Sequence, residues 1–369
     1  MTTHPSQAKP DPGSFDMLDE TKLTTAQIRA ARTENPQSRE RDFADSLGIS
    51  EAEFLAAYTG EFDRQRVTRI TATPDDIIQA AKKLGEVLAL TRNESCVIER
   101  VGTYDEWHDG QHASMVLGPD VDLRIFGKFW THAFAVEKPG ENGPRRSLQI
   151  FSSTGMAVHK IHLREDSNHE AWDEIVENLK LSDQVTDLEF RTKGAPEMPK
   201  ADPEKADKLR AEWDRMTDTH QFGRIVSQLK MNRLGAYRIA GAPYVRRVEN
   251  GSVSKALEAV SAKDAEVMIF VGNRGCIQIH GGPAKNLKRM GPWFNVLDPR
   301  FDMHLREDHV AEVYVVTKPT KRGPAVSLEA FDPEGRIILQ IFPDRRTDET
   351  MVTLWDDIVG TLTDMEADQ

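Results

Sequence analysis

The chain is written twice. LTRNESCVIERVG, from Leu90, is matched by FVGNRGCIQIHGG, from Phe270; VDLRIFGKFWTHAFAVEKP, from Val121, by FDMHLREDHVAEVYVVTKP, from Phe301; and SLQIFSSTG, from Ser147, by SLEAFDPEG, from Ser327. All three pairs stand 180 residues apart, so Asp122 answers Asp302, Lys138 answers Lys318, and Gly155 answers Gly335. A closing helix repeats as well, WDEIV from Trp172 and WDDIV from Trp355, with the offset grown to 183. One register held over such a span is a duplication, and two copies make a duplicated domain rather than a solenoid.

Each copy opens on helical sequence, DDIIQAAKKLGEVLAL in the first and QFGRIVSQL in the second, and then turns to strands. VDLRIF and AFAVEK alternate, VYVVTK and RIILQIF are rich in β-branched residues, and short turns such as PGENGP, PTKRGP and DPEG separate them, as in antiparallel hairpins. The fold expected is α+β: two tandem repeats, each a large antiparallel β-sheet backed by helices. KGAPEMPKADPEKAD, from Lys193, is rich in proline and charge and reads as a linker. The division expected is a disordered tail over 1–20, a first repeat over 21–192, the linker over 193–207 and a second repeat over 208–369.

Composition removes several functions. A net charge of −12 disfavours nucleic acid and anionic membrane surfaces, which call for clustered Lys and Arg. Two distant cysteines, Cys96 and Cys276, make neither a disulfide scaffold nor a zinc site. No apolar run approaches the roughly 18 residues a membrane helix needs. The N-terminal MTTHPSQAKPDPGSF lacks the apolar core of a secretory signal, so the expected location is the cytoplasm. No P-loop, dinucleotide glycine motif or HExxH pair occurs. His159, His162 and His169 fit no zinc spacing and read as surface histidines after a strand. FADSLGISEAEFLAAY, from Phe43, has the outline of a helix-turn-helix with Gly48 at the turn, and the alternative function is a DNA-binding regulator. That segment holds Asp45, Glu51 and Glu53 and no Lys or Arg, which is wrong for a phosphate-facing helix, and its counterpart LKMNRLGAYRIA, from Leu229, marks it as the helical corner of the repeat.

Differences between the copies carry the functional signal. The helical lead of the first copy has no histidine, whereas the second has His220, in WDRMTDTHQFGRIVSQL. Thr217, Asp218 or Thr219 can cap this helix. Phe222, Ile225, Val226 and Leu229 form its core stripe, which leaves His220, Arg224 and Ser227 on the opposite face. A neutral imidazole so placed has a lone pair free for a metal, and haem iron is commonly held by one such histidine. A histidine at a helix start is more often simply part-exposed. In VDLRIF, Asp122, Arg124 and Phe126 alternate onto one face; an arginine beside an aromatic suits a porphyrin, although a lone Arg on a sheet is usually a solvated charge. Gln340 and Phe342 share a face of their strand, Lys318 ends another, and Arg345 follows in PDRR. His304 stands at the position matching Arg124 and is a possible second ligand.

MTDTHQF, VDLRIF, NESCVIERVGTY, GPWFNVLDP, HLRED, VVTKPT and SLEAFD together resemble the bacterial haemin-handling family of HemS, HmuS, ChuS and PhuS, over about residues 25 to 365. The resemblance implies a saddle of two large antiparallel sheets, with haem in a cleft of the C-terminal half. It implies His220 as the axial iron ligand, Arg124 on the distal side with Phe126 nearby and catalytic if the protein is an enzyme, Arg233 at the propionates, and Lys318, Gln340, Phe342 and Arg345 at pocket positions. Leu339 and Phe342 stand where some members carry tyrosines, and the further histidines that some members carry after the ligand are replaced by Gln221 and Gly223. The resemblance implies haem uptake and use: carrying or storing haem received from an ABC importer, handing it to a downstream haem oxygenase, or degrading it with electrons from NADH or a reductase. No nucleic-acid partner is expected.

Overall fold

In a computed structural model, which describes residues 22–365 apart from Asp63, Glu197 and Thr347, the duplicated pattern builds two large antiparallel sheets. The tail expected over 1–20 lies outside the described residues. In the first half, helices α1 (Thr25–Glu34), α2 (Glu40–Ser46) and α3 (Glu51–Ala56) lead into strands β1 (Gly60–Phe62) and β2 (Gln65–Ile70), helix α4 (Pro74–Lys83), and strands β3 (Val87–Arg92), β4 (Cys96–Gly102), β5 (Glu106–His108), β6 (Ser114–Leu117), β7 (Asp122–Ile125), β8 (His132–Lys138), β9 (Arg145–Phe151) and β10 (Ala157–Leu163), closed by helix α5 (Trp172–Leu179). The second half repeats the plan: helices α6 (Ala206–Asp214), α7 (Gln221–Gln228) and α8 (Arg233–Ala240), strand β11 (Val245–Val248), helix α9 (Ser252–Ala262), strands β12 (Val267–Gly272), β13 (Cys276–Gly282), β14 (Leu287–Met290), β15 (Trp293–Asp298), β16 (Phe301–Arg306), β17 (Glu312–Lys318), β18 (Ala325–Phe331) and β19 (Ile337–Pro343), and helix α10 (Thr350–Gly360).

The halves are interleaved. One sheet runs β1-β2-β8-β9-β10-β3-β4-β16-β15-β14 and the other β11-β17-β18-β19-β12-β13-β7-β6-β5. Each half therefore lends three strands to the other's sheet, through the β4–β16 and β13–β7 joints. Sequence pattern foretells the strands but not this exchange, because the same hairpin pattern pairs equally well with either copy. One core packs Phe294, Val296, Met303 and Leu305 of the lent strands with α9 and α10 on the nine-stranded sheet; the matching core packs Val116, Leu123 and Ile125 with α4 and α5 on the ten-stranded one.

Local chemistry accounts for the element ends. The helix read over DDIIQAAKKLGEVLAL stops at Lys83, because Gly85 takes φ +70° and the VLAL that follows pairs as β3. Gly155 and Gly335 both have positive φ, 73° and 76°, in equivalent turns, which is why both copies keep glycine there. In α3, Glu51, Ala52, Phe54, Leu55 and Ala56 are buried, so the helix-turn-helix outline leaves no face to read DNA and is the packed corner of the repeat. His159 and His162 lie within β10, and His159 is 1% exposed, which corrects the surface reading: its ring is held between Thr91 Oγ1 at 2.8 Å and the Tyr104 hydroxyl at 2.5 Å. No helix among the described residues is long and apolar enough to cross a membrane.

Candidate functional site

In the nine-stranded sheet one face is core and the other is only partly roofed. Val267, Ile269, Val271, Leu339 and Ile341 point into the core with α9 and α10. On the opposite face, α6, α7 and α8 cover Tyr314, Val316 and Phe331 at one end only. From beneath that roof outward, the register lines up Tyr314, Glu329, Gln340, Phe270, Ile279 and Asp122 as one row across β17, β18, β19, β12, β13 and β7. Phe342 and Met268 pair in the row on one side, and Gly272 with the cross-strand pair Ile277–Arg124 forms the row on the other. Met268, Phe270, Ile277 and Phe342 are only half-buried, with Phe270 and Phe342 edge to face at 5.3 Å. The half-buried apolar residues Phe342, Met268, Phe270 and Ile277 lie on the three neighbouring strands β19, β12 and β13, so this floor spans two strand spacings, about 10 Å between strand axes.

His220 stands at the roof's edge. It is the residue before α7, exposed, while Phe222, Ile225, Val226 and Leu229 are buried as their spacing requires. None of Thr217, Asp218 and Thr219 caps the helix as expected: His220 itself is the N-cap, without a side-chain cap, and Asp218 Oδ1 accepts the His220 N–H at 2.8 Å in the turn before it. The Thr217 carbonyl accepts the N–H of Lys321 at 3.1 Å, which ties the histidine loop to the turn between β17 and β18. Arg345 grips the same turn from beyond β19 by donating to the Pro324 carbonyl. Phe126 follows β7, half-buried, its N–H on the Gly275 carbonyl at 2.9 Å. Arg124 donates to Asp122 and to the Leu123 carbonyl.

Two expected pocket cations are already partnered. Lys318, 2% exposed, lies 2.8 Å from Glu329 Oε1, and Arg233 Nη1 lies 2.9 Å from Glu329 Oε2. Both also donate to the Tyr237 hydroxyl and stand over the Phe222 ring. Burial alone would raise the Glu329 carboxyl, but Lys318 and Arg233 outweigh it and hold it at about 2. Burial pushes Lys318 down to about 8 despite Glu329. His304 is not brought to the floor: it lies in the ten-stranded sheet, bonded to Asn295 Oδ1 at 2.7 Å. Leu339 faces the core, so of the two positions read as replaced tyrosines only Phe342 lines the floor.

The equivalent face of the first half has the same rows and different chemistry. Phe134, Gln149, Lys160, Leu90, Glu99 and Asp302 cross it in register. Lys160 and Arg92 are paired to the buried Glu51, Lys138 to Glu40, and Ser38 stands where the second half has His220. Sequence reasoning missed Phe270, Met268, Ile277, Glu329 and Tyr237. The signal was in the comparison of the copies, which puts Leu90 against Phe270, Gln149 against Glu329 and Leu55 against Tyr237.

Fold and site define a duplicated two-sheet protein whose second half carries a partly roofed, half-buried apolar sheet face, with the exposed His220 on the loop leading into the roof. The haemin-degrading HemS/ChuX domain matches residues 48–179 and 230–362. The chain is 34% identical to the hemin transport protein HemS of Yersinia enterocolitica, over 91% of this chain and 96% of that one, and 33% identical to HmuS of Yersinia pestis, over 90% and 95%. The solved structure of holo-PhuS, a heme-binding protein from Pseudomonas aeruginosa, superposes with a TM-score of 0.87 at 37% identity, covering 93% of this chain and all of that one. The heme-degrading enzyme ChuS of Escherichia coli O157:H7 gives 0.84 at 30%, covering 92% and 100%. The chain belongs to the HemS/ChuX family.

Proposed function

We propose that this protein binds one haem in the cleft of its second half, with His220 as the axial iron ligand, and handles imported haem in the cytoplasm by carrying, storing or degrading it. The observation that carries the reading is the open floor of Met268, Phe270, Ile277 and Phe342 beside a histidine that only the second copy has. A flat apolar macrocycle fits such a floor, an imidazole suits its iron, and Arg233 and Arg345 suit its propionates. When bound, haem supplies redox-active iron and the capacity to react with oxygen. The protein's share is to ligate through His220, to exclude water with the aromatic floor, and to offer Arg124 as a polar group from the lent strand. The polar, ion-paired face of the first half supports a single site. Candidate partners are an ABC importer on the supply side and a downstream haem oxygenase; NADH or a reductase is the candidate electron source.

Titration with haemin, read in the Soret band, tests this. One equivalent should saturate the wild type, and His220→Ala should shift the band and weaken binding about tenfold or more, some 1.4 kcal/mol. An unchanged spectrum and affinity would remove His220 as the ligand. Incubating the complex with a reductant, in air and without oxygen, separates the two fates: an intact Soret band in both identifies a carrier.

A further inference from the structure

The two copies part at one hairpin. In the second copy β14 and β15 pair from Leu287–Val296 to Met290–Trp293, with only Gly291 and Pro292 in the turn. That tip is latched shut. Arg289 reaches Glu258 of α9 at 2.5 Å and Glu307 at 3.2 Å, and the Glu307 N–H donates to the Pro292 carbonyl at 3.0 Å. Arg306 lies over the Trp293 ring, and Phe294 is 1% exposed in the core. The first copy keeps the register, Trp107 against Val116, but its pairing ends at His108–Met115, so 109–114 forms a loop. Each piece of the latch is replaced: Asp109 stands for Arg289, Gly127 for Glu307, Ala113 for Trp293, Ser114 for Phe294 and Phe126 for Arg306. The loop is built, not merely unpaired. Ser114 Oγ donates to Asp109 Oδ1 at 2.8 Å and accepts the Gly110 N–H at 3.3 Å, and a Cβ on Gly110 would lie 2.3 Å from the Ala113 carbonyl oxygen.

Taking away an indole and a benzyl group without refilling the space leaves a cavity. One of about 410 Å³ lies beside this loop. Trp107 and Ile125 are its apolar lining, and Thr73, Asp75, Asp109 and Lys128 line it with polar groups, two negative and one positive. Packed interiors hold few voids larger than a water molecule, and concave sites with apolar walls and a few polar groups are where small molecules bind. The charge at the hairpin is reversed between the copies: where the second copy supplies its own guanidinium, Arg289, the first supplies the Asp109 carboxylate.

We propose that this cavity binds a small organic cation, a primary amine or guanidine carried on an apolar body. The body takes the kind of space that Trp293 and Phe294 fill in the second copy and packs on Trp107; the cationic head stands in for that of Arg289 and pairs with Asp109. The residues that line the cavity are not those of the haem floor, so the site is separate from the haem reading.

The test is ligand-observed NMR on the full chain, by saturation transfer, with 2-phenylethylamine as the probe and 2-phenylethanol as its uncharged counterpart. The wild type should bind the amine about tenfold more tightly than the alcohol, the scale of one charged hydrogen bond. Asp109→Asn keeps an acceptor for Ser114 and loses the charge, so it should bring the amine down to the level of the alcohol, whereas Asp109→Glu should keep most of the difference. Ala113→Trp, which returns the residue of the second copy, should abolish binding of both probes. Near-ultraviolet circular dichroism checks the fold of each variant, and Ala113→Leu, a smaller filler that should weaken both probes, covers a failure of the tryptophan variant to fold. Equal binding of amine and alcohol by the wild type, a preference that survives Asp109→Asn, binding undiminished by the filled variants, or no saturation transfer to either probe overturns the proposal.

Discussion

Arg124 and Ile277 are cross-strand partners, and they come from opposite halves of the chain. The strand exchange therefore puts an arginine of the first half on the nine-stranded sheet, beside the apolar residues of the second half. Its guanidinium is held by Asp122, two residues back on the same face, and Asp122 is in turn 3.8 Å from Arg346. In the proposed haem complex, Arg124 held in this way is the candidate polar group on the distal side. Arg124→Ala should change the distal coordination of bound haem, read from the visible bands and from azide or cyanide affinity, while haemin affinity moves by less than about threefold, or some 0.6 kcal/mol. Asp122→Asn should give a weaker version of the same change. Normal distal spectra in Arg124→Ala would place the residue outside the site.

Phe270 sits at the centre of the floor, with Gln340 and Ile279 as its cross-strand neighbours and Phe342 packed on its edge. Half-burial of so large a ring on an open sheet face has a cost that a bound apolar ligand removes. Phe270→Ala should weaken haemin binding by about 1–2 kcal/mol, from lost contact area and lost ring packing. Phe270→Leu, which copies Leu90 of the first half, should recover most of it. Isothermal titration with haemin gives both numbers, and equal affinities for Phe270→Ala and the wild type would move the ligand away from this floor.

The duplication, the α+β class, most strands and the asymmetry at His220 could be read from one sequence because they are local: periodicity, turn residues and register repeat in plain view. The strand exchange could not, because Arg124 pairs with Ile277 across more than 150 residues of chain and nothing near either residue says which copy of a hairpin it will join. The state of Lys318 and Arg233 was hidden for a related reason. Each looked like a free cation at a pocket position, and both are engaged by Glu329, which reads in SLEAFD as an ordinary strand carboxylate until the register sets it beneath α8. His159 was misread for want of the neighbouring strands: Thr91 and Tyr104, which satisfy its ring, lie more than fifty residues away.

Acid should weaken the fold in two stages. His159 and His280 are pushed down to about 3, first by burial and then by the neighbouring His162 and Arg100 respectively. The unfolded chain protonates these rings below about 6.5, whereas the folded one resists to about 3, so the unfolded state binds more protons across that window and stability falls as the pH drops through it. Glu51 and Glu329 are held at about 2 although burial opposes it, by Lys160 and Arg92 and by Lys318 and Arg233. Their contribution is complete above about 4.5 and is lost as the pH falls towards 2, so the decline should steepen below 4.5. Melting temperatures from pH 7.5 to 3.5 check this. The second half holds Leu339 and Ala284 where the first holds His159 and Tyr104, which shows that the fold accepts an apolar pair at this position. A His159→Leu, Tyr104→Phe double variant removes one titrating ring without orphaning the hydroxyl, and should make the upper stage shallower, His280 still contributing, while leaving the lower one intact. A melting profile as steep as wild type between pH 6.5 and 4.5 would show that His159 is not a source of the acid sensitivity.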